Sequence, residues 1–345
     1  MAMATTVVSQ PATLARSRAA HPTNTNPLQT CGVLQMPTVG LGVWKIDKDI
    51  TAATVEAAIG LGYRAIDCAC DYGNEVEVGQ GIAAAIAAGV CTREELFITS
   101  KLWNTYHAAE HVPLAMARTL KDLGLAYVDL YLIHFPIALK FVPFEESYPP
   151  EWLAPGAKSM QYAKVPVSET WGAMEALKSS GQAKEIGVSN FNCQAIRDLL
   201  NYCTVRPAAN QIELHPLNSQ EHLVKYCASE GIVVTGFSPL GSPSYVQIGM
   251  SQTSDACWDA PPVVAAAEAH GVTPAQVLLR WGLQHHPTIV PKSTKLERLK
   301  ENVSVFGFEL SAEQMAAIGA MDKGQRFNDP GEFTQGMGSY CPIHQ

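Results

Sequence analysis

The segment LFITSKLWNTYHAAEHVPLAMARTLKDLGLAYVDLYLIHFP, residues 96–136, contains the repeating unit on which the fold prediction rests. It opens with a short apolar run and continues into VPLAMARTLKDLG at 112–124, where apolar residues recur at spacings of three and four, as in an amphipathic helix. A second apolar run closes it. Lys101 follows the first run and His134 follows the second. Strand, helix and strand in succession predict neighbouring strands of a parallel sheet.

The same alternation extends over most of the chain. Helix-length segments, often ended by glycine, separate most of the eight strand candidates. Eight such units favour an α/β fold of the (β/α)8 TIM barrel type, and a doubly wound sheet is the alternative on alternation alone. The segment LQTCGVLQMP at 28–37 is predicted to form an N-terminal β-hairpin at the barrel bottom. The strand candidates lie near residues 39–43, 64–68, 96–100, 129–133, 185–189, 209–213, 233–237 and 287–290.

Two stretches are too long to be plain connections: residues 135–167 and the tail beyond about residue 321. Long loops at the strand C-terminal face of a barrel usually carry specificity, so we expect them to grip the substrate. Aromatic residues in the first stretch are predicted to form a pocket wall, with ordinary packing as the alternative. They are Phe135, Phe141, Phe144 and Trp152.

Composition and charge exclude several classes of protein. The 345 residues are 47% hydrophobic and 16% charged, which is typical of globular proteins, and the net charge of −8 argues against a general nucleic-acid binder. The nine cysteines form no CxxC pair, so neither a zinc site nor a disulfide framework is expected, and no metal is predicted. No run of about 18 apolar residues predicts a membrane span.

The first 46 residues contain no Asp or Glu. We expect residues 1–27 to be a flexible extension and residues 28–345 to form the barrel domain, including the C-terminal loop. An organelle transit peptide, for a plastid or a mitochondrion, and an untargeted extension of a cytoplasmic protein are both compatible with this leader.

A dinucleotide fingerprint is considered and rejected. Gly79, Gly81 and Ala84 in GQGIAA fit the spacing G-x-G-x-x-A, but they lie inside a helical run that begins near Asn74. The fingerprint requires a strand that runs directly into the glycines, which then open the helix.

Four ionisable residues lie at or just beyond the ends of apolar runs: Asp67, Tyr72, Lys101 and His134. Strand ends of a parallel barrel converge, so we predict that the four side chains meet. The set suits proton delivery to a carbonyl, because an ammonium beside Tyr72 would make its hydroxyl more acidic and Asp67 would hold that ammonium in place. His134 would orient the carbonyl oxygen. Taken singly, each has a structural alternative: an ion pair, a loop anchor or a core histidine.

Several motifs in order resemble the aldo-keto reductase family, over nearly the whole chain from about residue 30. GYRAIDCACDYGNEVEVG at 62–79, ITSKLW at 98–103 and DLYLIHFP at 129–136 place the family's catalytic Asp, Tyr, Lys and His on the four residues named above. The resemblance implies a (β/α)8 barrel that binds NADPH without a Rossmann fold. It also implies hydride transfer to an aldehyde or ketone, with Tyr72 donating the proton.

The resemblance also implies a set of cofactor-binding residues, found in IGVSNF, NQIELHP, GFSPLGS and VPKSTKLERLKEN. The family's aromatic that stacks on nicotinamide falls on Phe237, and its adenosine-phosphate segment falls on 290–302. Two cations in this segment favour NADPH over NADH, and use of both cofactors is an alternative. The structural alternative for the segment is a solvated amphipathic helix with no cofactor contact. Many relatives carry an Asp that matches Ser244, so a tight ionic belt over the cofactor is not expected. The implied residues are Ser189, Asn190, Gln211, Phe237, Ser238, Leu240, Ser242, Lys292, Ser293, Thr294, Arg298 and Asn302.

Within the family, HFPIALKFVPFEESYPPEW at 134–152 and RFNDP at 326–330 resemble the xylose reductases. This implies reduction of an aldose to its alditol by a monomer or homodimer. KLERLKEN also resembles plant aldose-6-phosphate reductases of the mannose-6-phosphate type, for which Lys140 is a candidate phosphate ligand. A non-catalytic NADPH-sensing subunit is a further alternative. The implied substrate-binding residues are Trp44, His134, Phe135 and Asn328.

Overall fold

A computed structural model describes residues 28–31 and 34–344 of the chain. Strands β3 to β10 form one parallel sheet, in which each strand pairs with the next in chain order, and they coincide with the eight strand candidates. The ten strands are β1 (Leu28–Cys31), β2 (Leu34–Pro37), β3 (Leu41–Gly42), β4 (Ala65–Asp67), β5 (Phe97–Leu102), β6 (Val128–Ile133), β7 (Ala183–Ser189), β8 (Ala209–Glu213), β9 (Val233–Phe237) and β10 (Thr288–Val290).

The sheet closes on itself between its first and last strands. A parallel bridge joins Val39 to Ile289, and the Gly40 amide donates to the Ile289 carbonyl at 2.9 Å. The approach is close, because a Cβ on Gly42 would lie 2.8 Å from the Val290 carbonyl oxygen. The (β/α)8 barrel is therefore confirmed, and the doubly wound sheet, which has open edges, is not what forms.

Helices cover the outside of the barrel, and most follow a strand. The apolar faces of these helices bury the large core between the strands and the helical layer. They are α1 (Lys48–Gly60), α2 (Glu75–Ala87), α3 (Val112–Leu123), α4 (Val167–Ser179), α5 (Cys193–Tyr202), α6 (Glu221–Ser229), α7 (Pro243–Val246), α8 (Pro261–His270), α9 (Pro274–His285), α10 (Leu296–Val303), α11 (Ala312–Gly319) and α12 (Pro330–Phe333).

The glycines of GQGIAA lie inside α2, as the rejection of a dinucleotide fingerprint requires. Their role is packing. A Cβ on Gly79 would lie 2.3 Å from the Leu123 carbonyl oxygen at the end of α3, and one on Gly81 would lie 2.5 Å from the Ala52 carbonyl oxygen in α1. The missing side chains let three neighbouring helices approach closely.

The predicted hairpin is present at the N-terminal ends of the strands. Strands β1 and β2 pair antiparallel, with Leu28 opposite Pro37. Leu34 and Met36 are buried and pack against Leu130 and Val233. The hairpin thus covers the barrel bottom with apolar side chains, which leaves the opposite end for polar chemistry.

The predicted extension, residues 1–27, lies outside the described residues, and the boundary at residue 28 stays a prediction. Among the described residues, no helix has the length and apolar character needed to cross a membrane.

Candidate active site

A cavity of about 850 Å³ opens at the C-terminal ends of the barrel strands. Loops that follow the strands form its walls, which is where barrels of this type place their ligands. Most of the predicted site residues line it. These are Trp44, Asp67, Tyr72, His134, Phe135, Asn190, Gln211, Phe237, Ser238, Leu240, Lys292, Ser293, Arg298, Asn302 and Asn328.

The Lys101 ammonium lies behind the cavity floor, fully buried at the end of β5. Its Nζ donates to Asp67 Oδ2 at 2.8 Å, to the Cys68 carbonyl at 2.8 Å and to the Tyr72 hydroxyl oxygen at 3.1 Å. An ammonium has three protons, so each has an acceptor here. The structure brings Asp67, Tyr72 and Lys101 together, as predicted.

Asp67 links this group to the next part of the cavity. Its second oxygen, Oδ1, accepts a hydrogen bond of 2.6 Å from Gln211 Nε2. Gln211 comes from β8, four strands along the sheet from the β4 strand that carries Asp67, so the bond spans the barrel mouth. Gln211 therefore lines the cavity with an amide whose orientation Asp67 fixes.

The acidifying effect of Lys101 on Tyr72 stays a prediction, because the pKa of this hydroxyl is the net result of several opposing effects. Loss of water around the hydroxyl, together with the carboxylates of Asp67 and Asp71, raises the pKa of Tyr72 well above its usual value. The Lys101 charge does not offset this, because the ammonium forms an ion pair with Asp67 at 2.8 Å. Tyr72 accordingly keeps its proton, as a proton donor must.

His134 lies beside Tyr72, with ring centroids 5.9 Å apart. Its Nδ1 is 3.1 Å from Asp71 Oδ1, although the angles are not those of a hydrogen bond. Asp71 lines the cavity, and sequence reasoning did not select it. The sequence feature that could have identified Asp71 is its position directly before Tyr72.

Four aromatic rings form one wall of the cavity, near Tyr72 and His134. Trp152 contacts Trp103 and Phe135 with centroid distances of 5.0 Å, and Phe333 of α12 with one of 5.2 Å. The long loop and the tail therefore meet at the cavity. Phe333 was not selected from the sequence, and no local pattern in the tail indicates it.

Two of the four predicted wall residues lie elsewhere. Phe141 stacks on His111 at 3.7 Å between ring centroids, and Phe144 packs against Tyr106. Neither lines the cavity. For these two, the packing alternative is correct, because the loop folds back on α3 before it returns to the cavity at Trp152.

The cavity contains three residues with left-handed backbone conformations: Lys45 (φ 59°), Asn190 (φ 62°) and Ser238 (φ 52°). Such angles are costly for residues other than glycine and concentrate at functional sites. Asn190 Nδ2 donates to the His134 carbonyl at 2.9 Å, whereas its Oδ1 is buried and has no partner among the described residues. A buried acceptor without a partner, on a residue that lines the cavity, suits the N–H group of a ligand.

Ser189, Ser242 and Thr294 do not line the cavity, although they belong to the predicted cofactor set. Ser189 Oγ donates to the Gln211 carbonyl at 2.8 Å, so it supports the strands behind the floor. Ser242 is buried and Thr294 is exposed. Their predicted contacts with a cofactor remain predictions.

Cations collect at one end of the cavity, where Lys45, Lys292 and Arg298 line it. Burial and the nearby Lys292 ammonium lower the pKa of Lys45. Lys45 Nζ donates to the Ser244 carbonyl across the cavity. The acceptor in this contact is therefore a neutral backbone carbonyl. Three cationic side chains at one end of the cavity suit an anionic ligand, although burial lowers the pKa of Lys292, Asp47 is close enough to oppose that shift, and Glu301 lines the same cavity.

The comparisons with known proteins agree with this geometry. The family model described as "Aldo/keto reductase family" matches residues 35–323. A protein of Arthroderma otae named as a probable NAD(P)H-dependent D-xylose reductase is 48% identical over 297 residues, which cover 86% of this chain and 90% of that protein. A 4-dihydromethyl-trisporate dehydrogenase of Mucor mucedo is 47% identical over 305 residues, or 88% and 94% of the two chains.

A solved structure has the same architecture. The crystal structure of a Bombyx mori aldo-keto reductase in complex with NADP matches with a TM-score of 0.81 and 38% identity, over 93% of this chain and 99% of that one. One assignment follows from the barrel, from the hydrogen-bonded group of Asp67, Lys101 and Tyr72, and from a family model that covers most of the sequence. This chain belongs to the aldo/keto reductase family.

Proposed function

We propose that this protein reduces an unphosphorylated aldose, such as xylose, to its alditol with NADPH. The observation that carries the proposal is the hydrogen bond from Lys101 Nζ to the Tyr72 hydroxyl on the floor of a cavity whose far end carries Lys292 and Arg298. A proton donor and an anion-binding region thus share one cavity. Relatives named as NAD(P)H-dependent D-xylose reductases support the same reaction.

The residues present fit a nicotinamide dinucleotide. Asn190 offers a buried oxygen without a partner, Gln211 offers an amide, and Phe237 offers a ring to the same cavity. Lys292 and Arg298 suit a phosphate on the adenosine, because a guanidinium binds phosphate through paired hydrogen bonds. When bound, the cofactor supplies the hydride.

A side chain of the protein supplies the proton for the reduction. Lys101 does not line the cavity and each of its protons has an acceptor, so it cannot serve as the donor. Tyr72 lines the cavity and retains its proton, since burial raises its pKa. Donation leaves a phenolate 3.1 Å from the Lys101 ammonium, which stabilises it. His134, next to Tyr72, directs the carbonyl oxygen.

The charges favour a neutral sugar over a sugar phosphate. Near Tyr72 and the aromatic wall, the charged side chains among the lining residues are Asp67 and Asp71, both acidic. Lys140, the candidate phosphate ligand, lines a separate cavity of about 360 Å³ together with Glu146. A phosphate in the main cavity would meet carboxylates near the reacting end, where burial strengthens repulsion.

Steady-state rates with one panel of substrates test the proposal. We expect NADPH oxidation with xylose, much weaker turnover of glucose-6-phosphate and mannose-6-phosphate, and loss of about 10²- to 10⁴-fold in kcat for Tyr72→Phe, the usual contribution of general acid catalysis. Quenching of protein fluorescence by NADPH should persist in that variant. Retained turnover by Tyr72→Phe would contradict the role of Tyr72.

The panel also separates the alternatives. A sensing subunit would bind NADPH without turnover of any carbonyl. Preference for a sugar phosphate would establish the aldose-6-phosphate alternative. Preference for a large apolar carbonyl compound over xylose would align the protein with its Mucor mucedo relative and refute the sugar assignment.

A further inference from the structure

Glu213, at the C-terminal end of β8, is fully buried, and the proposed reaction leaves it without a role. Its Oε1 accepts the backbone N–H of Phe327 at 2.8 Å, and its Oε2 accepts that of Asn328 at 2.7 Å. His215 Nε2 lies 2.8 Å from Oε1. A buried charge is retained only where such donors surround it.

The charge state of Glu213 follows from these contacts. Burial alone would raise its pKa, but the hydrogen bond from His215, the Arg326 guanidinium and the Phe327 amide together lower it below the usual value. A carboxylate accepts two backbone N–H groups more strongly than a neutral group does. The attachment of the tail is therefore ionic in character.

Contacts that do not involve Glu213 hold the tail residues before Asn328. The Gln325 amide donates to the Leu217 carbonyl at 2.9 Å, and Arg326 Nη2 donates to Gln220 Oε1 at 2.8 Å. Phe327 stacks on Tyr245 with centroids 5.7 Å apart. These contacts anchor the segment before Asn328, whereas Glu213 holds Asn328 itself.

We propose that Glu213 is a positioning residue that sets affinity for hydroxylated substrates by fixing Asn328 in the cavity. Asn328 lines the cavity and Glu213 does not, so the effect passes through the backbone of the tail. The inference rests on the proposed reduction of a sugar. It adds a determinant of specificity that touches neither substrate nor cofactor.

Glu213→Gln is the appropriate perturbation, because glutamine has the same shape but only one acceptor oxygen. Its amide group would face either the Phe327 or the Asn328 N–H, donor against donor, and would release one end of the tail attachment. Gln211, two residues earlier on β8, is held by Asp67 and not by the Glu213 carboxylate, so NADPH affinity should be unchanged.

The test compares xylose with propanal, which has no hydroxyl groups. For Glu213→Gln we expect the KM for xylose to rise about tenfold, as when a hydrogen bond to a hydroxyl is lost, while kcat, the KM for propanal and the Kd for NADPH stay near wild type. A structural role alone would change both substrates alike. An unchanged KM for xylose, or an equal rise for propanal, overturns the inference.

A double-mutant cycle with Asn328→Ala tests the route. If Glu213 acts through Asn328, Glu213→Gln adds no further rise in the KM for xylose when Asn328 is already alanine. Additive effects overturn the proposal. If wild type does not reduce xylose, the proposed function fails and the inference fails with it; active wild type with an unaffected variant refutes the inference alone.

Arg326→Met keeps the test valid if Glu213→Gln does not fold. It removes the guanidinium beside Glu213 and the bond to Gln220, but it keeps the apolar stem of the side chain. We expect a smaller rise in the KM for xylose, about threefold, with no change for propanal. No rise in a folded Arg326→Met variant counts against the proposal.

Discussion

Glu75 provides a stability prediction that can be worked out in detail. It is buried in the first turn of α2, three residues after Tyr72. Its Oε1 accepts a hydrogen bond from Ser100 Oγ at 2.6 Å, and its Oε2 accepts one from Thr119 Oγ1 at 3.2 Å. Burial raises its pKa to about 7 from 4.5, because the two hydroxyls only partly replace the lost water. The perturbation is Glu75→Gln, which is neutral at every pH.

The sign of the effect follows from proton binding. Between pH 4.5 and about 7, the folded protein holds a proton on Glu75 that the unfolded chain has released. Stability therefore falls as the pH rises through this window. A shift from 4.5 to about 7 corresponds to a loss of about 3 kcal/mol in the free energy of unfolding, at about 1.4 kcal/mol per pH unit.

Urea unfolding at a series of pH values from 4 to 8 measures this effect. The difference in unfolding free energy between Glu75→Gln and wild type should move in favour of the variant by about 3 kcal/mol across the window. Other titrating groups cancel, since both proteins contain them. Glu56→Gln, at an exposed position of α1, is the matched control and should follow wild type. Parallel pH profiles for Glu75→Gln and wild type would refute the reasoning.

Two further predictions concern the cofactor and the packing of the helices. If Arg298 binds the adenosine phosphate as we propose, Arg298→Ala should raise the Kd for NADPH at least about tenfold and leave that for NADH near wild type, measured by fluorescence titration. Equal weakening of both would exclude contact with the adenosine phosphate. Gly79→Ala should lower the unfolding free energy by about 1–3 kcal/mol, because its Cβ would overlap the Leu123 carbonyl oxygen at 2.3 Å. Gly60→Ala, at the end of α1 where nothing lies within 4 Å, is its control and should raise the unfolding free energy by up to about 1 kcal/mol, because alanine favours a helix over glycine.

The strand order and the convergence of Asp67, Tyr72, Lys101 and His134 could be predicted because local patterns specify both. A strand of a closed parallel barrel is buried on both faces, so it appears in the sequence as a short apolar run. The residue after such a run lies at the barrel mouth whatever its distant partners are. Lys101 and His134 were therefore placed correctly without knowledge of any contact between them.

The walls of the cavity could not be predicted in this way. Loop 135–167 has no period, and its path depends on contacts such as Phe141 with His111 and Trp152 with Phe333. The net direction of the Tyr72 pKa shift could not be predicted for a related reason. Sequence reasoning considered the charge of Lys101, whereas the loss of water around the hydroxyl, which depends on the whole fold, has the larger effect.

The two ends of the barrel tolerate different kinds of change. At the bottom, Leu34 and Met36 bury apolar surface against strand starts, so substitutions there change the free energy of unfolding without reaching the cavity. At the top, strained residues such as Asn190 and Ser238, together with the buried charge of Glu213, cost folding energy. We infer that ligand geometry accounts for these residues at the top, because an ordinary backbone and an apolar residue would cost less folding energy at the same places.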